Sequence, residues 1–469
     1  QVVHLGSGRQ PQYSSIVALG DRPGAMALSL RGRALVVSPA DPEADSEVKA
    51  VSLLGLAVLA AVAALGYGLR RAAWLGRPGR SGTLAALWVG CAVAPFAVLH
   101  AHGPFRSLLA HFTLAFLGVV GSFRLLELIL GTGPRGFDRS FKNFIVYFSS
   151  PAEVLFDEAG EFKRSPPGRL MEILLRLAAH MLMGAVLLSV GKATDFVPFL
   201  ERGSRPVEMP HFGLPASLPG LWLQAAFVYC LLTTAMLMHR VPVAMLGIDT
   251  VDPMRAPLLL STSVRDFWGR RWNLLIHRLM KRTFFAPLAR GSPGAGRHLG
   301  GLLAFAMSGL FHEYMWFAVN WFQVGPATYV PGQVLLFFLV QFCLCAAEAA
   351  LAGTRAGRWA SGLPAGLRTA GTTLVTLPAA PLFLHGLHGA GMMAQCAEQS
   401  ATLDLLPRGA DAAGLRQTVP LDWACLAAFA SAVLGLRCRA RLRARAWGGA
   451  GKAARLATQV DGASTLVGG

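Results

Sequence analysis

The stretch SGLFHEYMWFAVN, from Ser308 to Asn320, places a titratable His–Glu pair inside a segment that is otherwise apolar. Residues 299–322 contain no Lys, Arg or Asp, and His312 lies about 20 Å along the segment at a rise of ~1.5 Å per residue. A polar side chain at that depth in a bilayer is costly unless it faces an internal cavity. A neutral imidazole held there has the chemistry of a general base.

The neighbours of His312 favour a functional interpretation. A single helical stripe with four-residue spacing contains Ser308, His312, Trp316 and Asn320. Three of these four residues are polar and Glu313 is adjacent, which indicates a wet or ligand-lined interior face. The alternative is a histidine that hydrogen-bonds a neighbouring helix and only supports packing.

Other catalytic chemistries have weaker support in the sequence. HEYMW lacks the second histidine of HExxH, and the seven cysteines contain no CxxC pair, so we expect no metal and no cofactor. No GxSxG motif indicates a serine nucleophile. A general base in a chamber of low dielectric is the remaining interpretation.

A second segment with chemical potential reads VRDFWGRRWNLLIHRLMKRTFF. At ~100° per residue, its apolar stripe comprises Trp268, Trp272, Leu275 and Leu279. Its polar stripe comprises Asp266, Arg270, Asn273, His277 and Lys281. This pattern predicts an amphipathic helix in the membrane interface. Such a helix could serve only as an anchor, but its arginines, including Arg271, could also meet an anionic cosubstrate.

These segments lie in a chain with the composition of an integral membrane protein. Of its 469 residues, 54% are hydrophobic and only 14% are charged, and the mean hydropathy is +0.48. The continuous apolar runs predict an all-α, polytopic transmembrane helical bundle of about eight to nine spans with interfacial amphipathic helices. The candidate spans are 50–69, 83–101, 107–131, 171–190, 219–238, 299–322, 332–352, 366–386 and 421–436.

The charge distribution predicts the orientation and the boundaries of the chain. The net charge of +18 resides mainly in loops beside apolar runs, which indicates contact with anionic lipid and no nucleic-acid partner. With nine spans, the basic connections face the cytosol, the N-terminus is lumenal and the C-terminus is cytosolic. We expect a weakly ordered tail at 1–48, a membrane-embedded domain at 49–437 and a basic cytosolic tail at 438–469. Because residue 1 is Gln, we also expect a fragment or a processed form.

Two motifs together resemble a known family. PLLLSTSVRDFWGRRWN, followed about forty residues later by SGLFHEY, is similar to the wax synthase branch of the membrane-bound O-acyltransferase family. The resemblance is firm over the motif core, 255–320. It implies a polytopic helical fold and acyl transfer from acyl-CoA, used as a cosubstrate, to a lipid hydroxyl.

The resemblance also implies roles for individual residues. His312 matches the family's intramembrane catalytic histidine, and Asn273 matches the asparagine that ends a FYxDWWN-type motif and helps to hold the thioester. Glu313, Ser308 and Asn320 would support the histidine. Arg270 and Arg271 replace the Asp and Trp of the sterol and diacylglycerol branches, which favours the wax synthase branch. Arg270 and Arg271, together with Trp268, Trp272 and His277, would form the acyl-CoA mouth, which is the cytosolic entrance for the cosubstrate.

The resulting expectation is an enzyme of the endoplasmic reticulum that makes wax esters from acyl-CoA and a long-chain fatty alcohol. A sterol or diacylglycerol acceptor remains an alternative, because acceptor choice depends on the shape of the cavity. A proton-coupled transporter that uses His312 as a relay is a further alternative, although no internal repeat supports it.

Overall fold

A computed structural model describes most of the chain between residues 26 and 407. The described residues are 26–30, 33–38, 42–72, 80–193, 201–202, 205–206, 218–292, 294–321, 330–389, 395–397 and 402–407. The predicted span 421–436 and the predicted tail 438–469 lie outside them.

Helices dominate the described part of the chain. They are α1 (Pro42–Ala72), α2 (Arg80–His102), α3 (Leu108–Leu130), α4 (Phe141–Ser149), α5 (Arg169–Ala193), α6 (Leu218–Met245), α7 (Pro257–Leu260), α8 (Val264–Asp266), α9 (Leu274–Met280), α10 (Ala286–Gly291), α11 (Ala295–Val319), α12 (Gln333–Leu351), α13 (Arg355–Gly362), α14 (Ala365–Thr376) and α15 (Ala380–Gly389). Two π-helical segments, Phe267–Arg271 and Lys281–Phe285, and a 3₁₀ turn, Leu377–Ala379, connect some of them.

A few short strands accompany the helices. An antiparallel sheet has the order β1 (Met26–Leu30), β2 (Arg33–Ser38) and β5 (Thr402–Pro407), and β3 (Glu201–Arg202) pairs with β4 (Arg205–Pro206). The register places Leu28 opposite Leu35, and Leu35 opposite Leu405. The segment before the first long helix thus contains a β-hairpin, and α1 begins at Pro42.

Seven described helices are long and apolar enough to cross a membrane, which confirms the predicted membrane bundle. The seven segments are Pro42–Arg71, Gly82–His102, Leu108–Leu130, Arg169–Ser189, Gly220–Met245, Ala295–Val319 and Gln333–Leu351. The predicted span 366–386 is helical throughout, but a 3₁₀ turn that contains Pro378 divides it into α14 and α15, so it is not one long α-helix. Proline has no N–H to donate and clashes with the preceding turn, which explains the local change of helix type.

The core of the bundle forms around α3 and α6. In the most apolar stretch of each, 61% of the residues are buried, against 17% in α1 and α5. Outer helices such as α1 expose large apolar side chains, including Leu53 and Leu54, as expected of a surface that faces lipid. The helix with the His–Glu pair, α11, packs on α3, α10 and α12.

A close contact fixes α11 against α12. A Cβ atom at Gly309 would lie only 2.9 Å from the Cα of Leu335, so no larger residue fits there without moving the backbone. Small residues at helix interfaces allow such close approach in membrane bundles. The contact sets the distance at which α12 presents its side chains to His312, one turn further along α11.

Candidate active site

His312 is held by its own helix in a defined orientation. Its Nδ1 lies 2.7 Å from the carbonyl oxygen of Ser308, one turn earlier in α11. Because a carbonyl can only accept a hydrogen bond, Nδ1 must carry the proton and donate. In the neutral ring, the lone pair is then on Nε2. Ser308 therefore contributes its backbone oxygen, and Nε2 is the atom that can accept a proton.

Aromatic rings surround the imidazole of His312. Phe338 of α12 stacks on it with ring centroids 4.7 Å apart, and Phe383 of α15 meets it edge-on at 5.3 Å. Phe311 covers another side at 4.5 Å. The histidine therefore lies in a largely apolar environment and is not turned toward lipid.

His312 lines a cavity together with residues of the RDFWGRRWN segment. The lining includes Trp268 and Trp272, which were predicted from the motif, and residues of α6, α7, α12, α14 and α15. The cavity has a volume of about 90 Å³. The structure thus brings His312 and the two tryptophans of the predicted acyl-CoA mouth to one space.

Hydroxyl groups line one wall of this cavity. Thr372, Thr373 and Thr376 of α14 donate to carbonyl oxygens four residues earlier, and Ser261 donates to the carbonyl of Pro257. Each of these hydroxyl hydrogens is therefore engaged by the backbone. The oxygens retain lone pairs, so this wall offers hydrogen-bond acceptors to a ligand.

Gln341 is a cavity residue that the sequence analysis missed. It lies within α12 and is fully buried. Its Oε1 accepts from Trp268 Nε1 at 3.1 Å, and its Nε2 donates to the carbonyl oxygen of Thr376 at 3.2 Å. It thereby ties the motif segment to the end of α14. An amide in the middle of an apolar run is a signal that could have identified it.

The predicted continuous amphipathic helix is wrong. The segment instead consists of α8, a π-helical turn, a break at Asn273 and then α9. The apolar stripe also packs inside the protein, because Leu275 and Leu279 are buried against α3 and α11. The physical cause is the break, which redirects the chain between Trp272 and α9 and lets both halves bury their apolar sides.

Asn273 occupies this break in the left-handed region, with φ of 39° and ψ of 62°. Asparagine tolerates that conformation better than most residues. Its Oδ1 accepts from the backbone N–H of Ile276 at 3.3 Å and so caps α9, and its own N–H donates to the sulfur of Met254 at 3.2 Å. It is buried and is not among the residues that line the His312 cavity.

Glu313 and Asn320 point away from the imidazole and stabilise helix ends. The Glu313 carboxylate accepts from the backbone N–H of Leu335 at 2.9 Å, at the N-terminus of α12, where the helix dipole favours negative charge. Asn320 is fully buried at the end of α11 and donates to the carbonyl of Trp316. The His–Glu pair is therefore not a hydrogen-bonded dyad.

The three basic residues predicted for the acyl-CoA mouth have different environments. Arg271 Nε lies 2.6 Å from the Asp266 carboxylate, which balances the positive charge of Arg271. The Arg270 side chain, by contrast, is exposed. Burial, followed by the charges of Lys281 and Arg278, lowers the pKa of His277 to about 4. His277 is thus neutral at physiological pH and cannot offer a positive charge to phosphate.

A buried charge network fixes the other end of the motif segment. Arg282 donates to Glu127 at 2.7 Å and to both oxygens of Glu153, at 2.6 and 3.3 Å. Tyr147 donates to Glu127 at 2.6 Å, and the guanidinium of Arg124 lies 3.8 Å from the Tyr147 ring centre. The network joins α3, α4 and the loop after it to the chain that follows α9. Sequence reasoning missed it because its members are far apart along the chain.

No cluster of three or more His, Cys, Asp or Glu side chains suited to a metal ion occurs among the residues that the structure describes. The site therefore consists of one oriented imidazole, two tryptophans, an amide clamp and a wall of hydroxyl acceptors. This set can remove a proton from a bound hydroxyl group but, on its own, supplies no charge to a phosphate.

Comparisons with known proteins match the segment that contains His312, Trp268 and Trp272. Residues 251–340 match the model of the Membrane bound O-acyl transferase family. The resemblance found in the sequence is thereby confirmed over this segment.

The most informative relatives are plant proteins. A Long-chain-alcohol O-fatty-acyltransferase of Simmondsia chinensis is 36% identical over 98 residues, covering 20% of this chain and 27% of the relative. Probable long-chain-alcohol O-fatty-acyltransferase 9 of Arabidopsis thaliana is 32% identical over 114 residues, covering 23% of this chain and 31% of the relative.

Acyl-CoA--sterol O-acyltransferase 1 of Arabidopsis thaliana is 28% identical over 143 residues, covering 30% of this chain and 40% of the relative. The chain therefore matches less than half the length of each of these three relatives. Their names include both an alcohol and a sterol as acceptors.

Proposed function

We propose that the protein transfers a fatty acyl group from acyl-CoA to the hydroxyl of a long-chain alcohol and so forms a wax ester. The observation that carries the proposal is the shared cavity of His312, Trp268 and Trp272, inside the segment that matches the family model. The relatives named as long-chain-alcohol acyltransferases support the choice of acceptor. No cofactor is part of the proposal.

In the proposed reaction, Nε2 of His312 accepts the proton of the alcohol hydroxyl while the alcohol oxygen attacks the thioester carbonyl carbon. The carbon–sulfur bond then breaks, the CoA sulfur leaves as a thiolate, and the proton returns from Nε2 to that sulfur. Closing this chemistry off from water would limit hydrolysis of the thioester. Holding the hydroxyl and the thioester side by side in one cavity contributes to the rate through proximity.

The other predicted residues have supporting roles in this proposal. Asn273 does not line the cavity, so in this proposal its side-chain amide nitrogen would meet the thioester on the way to His312, while its oxygen caps α9. Two arginines of the motif are exposed, and Arg265 is paired with Glu348. Arg270 is therefore the cation best placed to meet the phosphates of acyl-CoA, with Arg271 as its neighbour. In this proposal the Lys/Arg-rich connections, this entrance and the C-terminus face the cytosol, and the membrane is that of the endoplasmic reticulum.

A sterol acceptor is the second candidate, since a sterol acyltransferase is among the relatives. It would use the same base and the same donor. The two candidates differ only in the alcohol that reaches Nε2, so an acceptor panel separates them.

The test is ester synthesis by the purified protein in nanodiscs, with labelled acyl-CoA and 1-hexadecanol. His312→Ala should lower kcat by about 100- to 10,000-fold, the range for loss of a general base. His298→Ala, which changes an exposed histidine on the same helix, is the matched control and should keep its activity. Ester synthesis that persists in His312→Ala would remove His312 as the base.

A further inference from the structure

We infer that Phe338 and Phe383 form a slot beside His312 that admits an unbranched primary alcohol and discriminates against secondary alcohols. This inference rests on the proposed function, because it concerns the acceptor that reaches Nε2. Phe338 and Phe383 belong to different helices, α12 and α15, and both line the cavity. Their rings stack on and abut the imidazole at 4.7 and 5.3 Å.

The two rings are held in place by other aromatic residues. Phe337 lies 5.2 Å from Phe338 and 5.4 Å from Phe383, centroid to centroid. Trp268 lies 5.7 Å from Phe338, and Gln341 fixes that tryptophan through its indole N–H. Packed rings cannot turn aside without losing these contacts, so the slot resists widening.

The shape of the acceptor near its hydroxyl then decides whether it fits. In a primary alcohol, the carbon that bears the oxygen has one chain and two hydrogens, so the oxygen can approach Nε2 end-on. In a secondary alcohol, the same carbon has a second carbon substituent, which must find room between the rings. A cavity of about 90 Å³ has little space to spare. One additional methyl or methylene group in a fitted pocket changes kcat/KM by roughly 10- to 200-fold.

A sterol presents the same difficulty in a stronger form. Its hydroxyl is on a ring carbon, so both substituents are rigid and cannot fold away from the slot. Diacylglycerol with a free primary hydroxyl would pass this criterion at the oxygen-bearing carbon. The slot therefore selects acceptors by the number of carbon substituents on the carbon that bears the hydroxyl. This criterion differs from lipid class, because one class can contain both primary and secondary alcohols.

The test compares two isomers, 1-hexadecanol and 2-hexadecanol, which have the same mass and number of carbon atoms. We expect the wild-type protein in nanodiscs to favour the primary isomer by roughly 10- to 200-fold in kcat/KM. Phe338→Ala and Phe383→Ala should each reduce that ratio toward unity. The control Phe342→Ala removes a ring one turn further along α12 that contacts Phe305, and it should leave the ratio unchanged.

The outcomes separate the two hypotheses. Ester formation from neither isomer would overturn the proposed function. Equal kcat/KM for both isomers in the wild type would overturn the slot and leave the function standing. A wild-type preference that survives both Phe→Ala changes would assign the discrimination to other residues. Both kcat/KM values in a ratio come from one preparation, so the concentration of folded protein cancels from the ratio. Phe338→Leu and Phe383→Leu provide a milder variant for each ring.

Discussion

Replacing Glu153 by Gln removes one negative charge from the buried network around Arg282. The Glu153 and Arg282 side chains are 3% and 18% exposed, and Arg124, within 3.7 Å of the carboxylate, is fully buried. Before the change, the carboxylates of Glu127 and Glu153 balance the two buried guanidiniums, and the half-exposed Arg278 lies 3.5 Å from Glu153; afterwards one buried positive charge has no counterpart. Removal of one partner from a buried ion pair costs about 3–5 kcal/mol. At roughly 2 °C per kcal/mol for a large domain, the melting midpoint should fall by about 6–10 °C.

The assay is thermal unfolding in detergent micelles at a fixed lipid ratio, with Glu158→Gln as the control. Glu158 is an exposed carboxylate on the same connection, so its neutralisation should leave the midpoint nearly unchanged. Acyl transfer should fall in parallel at temperatures near the lowered midpoint. If the two variants melt together, the buried network does not stabilise the fold and the reasoning fails.

The same network predicts a pH dependence with a definite sign. Burial disfavours the charged carboxylate, but the guanidiniums of Arg282 and Arg124 outweigh it and hold the pKa of Glu153 below its ordinary value of 4.5. A carboxyl group with a lowered pKa stabilises the folded state above its unfolded pKa and loses that contribution as the pH falls through the folded pKa. The difference in midpoint between wild type and Glu153→Gln should therefore be constant above pH ~5 and should shrink below ~4.5.

Two further predictions concern the motif segment. Asn273→Asp keeps the oxygen that caps α9 and a residue type that tolerates positive φ, but it removes the amide N–H. We therefore expect turnover to be lost while the melting midpoint stays near normal. An active Asp variant would show that Asn273 serves only as a helix cap. His277 has a pKa lowered to about 4 by burial, Lys281 and Arg278, so only the unfolded chain takes up its proton between about pH 6.5 and 4. Wild type should thus lose stability as the pH falls through that range, whereas His277→Gln should show a flatter pH profile; identical profiles in thermal melts would contradict the assignment.

The sequence predicted the parts of the molecule that depend on local composition. Seven spans follow from continuous apolar runs, and His312 was recognised because a titratable residue inside such a run is costly. The two tryptophans, which were predicted for the acyl-CoA mouth, lie at the cavity. Pro378 was a visible signal for the 3₁₀ turn within 365–389. The turn was missed because a mean hydropathy taken over about twenty residues does not register a single proline.

The parts that the sequence did not predict depend on contacts between distant segments. The left-handed conformation of Asn273 is held by the irregular segment 252–255, through the bond from the Asn273 N–H to Met254 and the bond from the Leu274 N–H to the carbonyl of Pro253. A helical wheel assumes an unbroken helix and cannot show such a turn. The Arg282 network likewise joins residues more than a hundred positions apart, and charge patterning along the chain contains no sign of it.

The tightness of the space beside His312 has a kinetic consequence. A volume of about 90 Å³ holds only a short length of hydrocarbon, far below the ~300–1,000 Å³ of sites that enclose a whole drug-sized ligand. In the proposed reaction the wax ester has two long chains, so walls of the cavity other than the Phe338–Phe383 slot must separate for each product to depart and close again for the next turnover. Because these helices move within the bilayer, turnover should drop sharply when the surrounding lipid passes from the fluid to the gel phase.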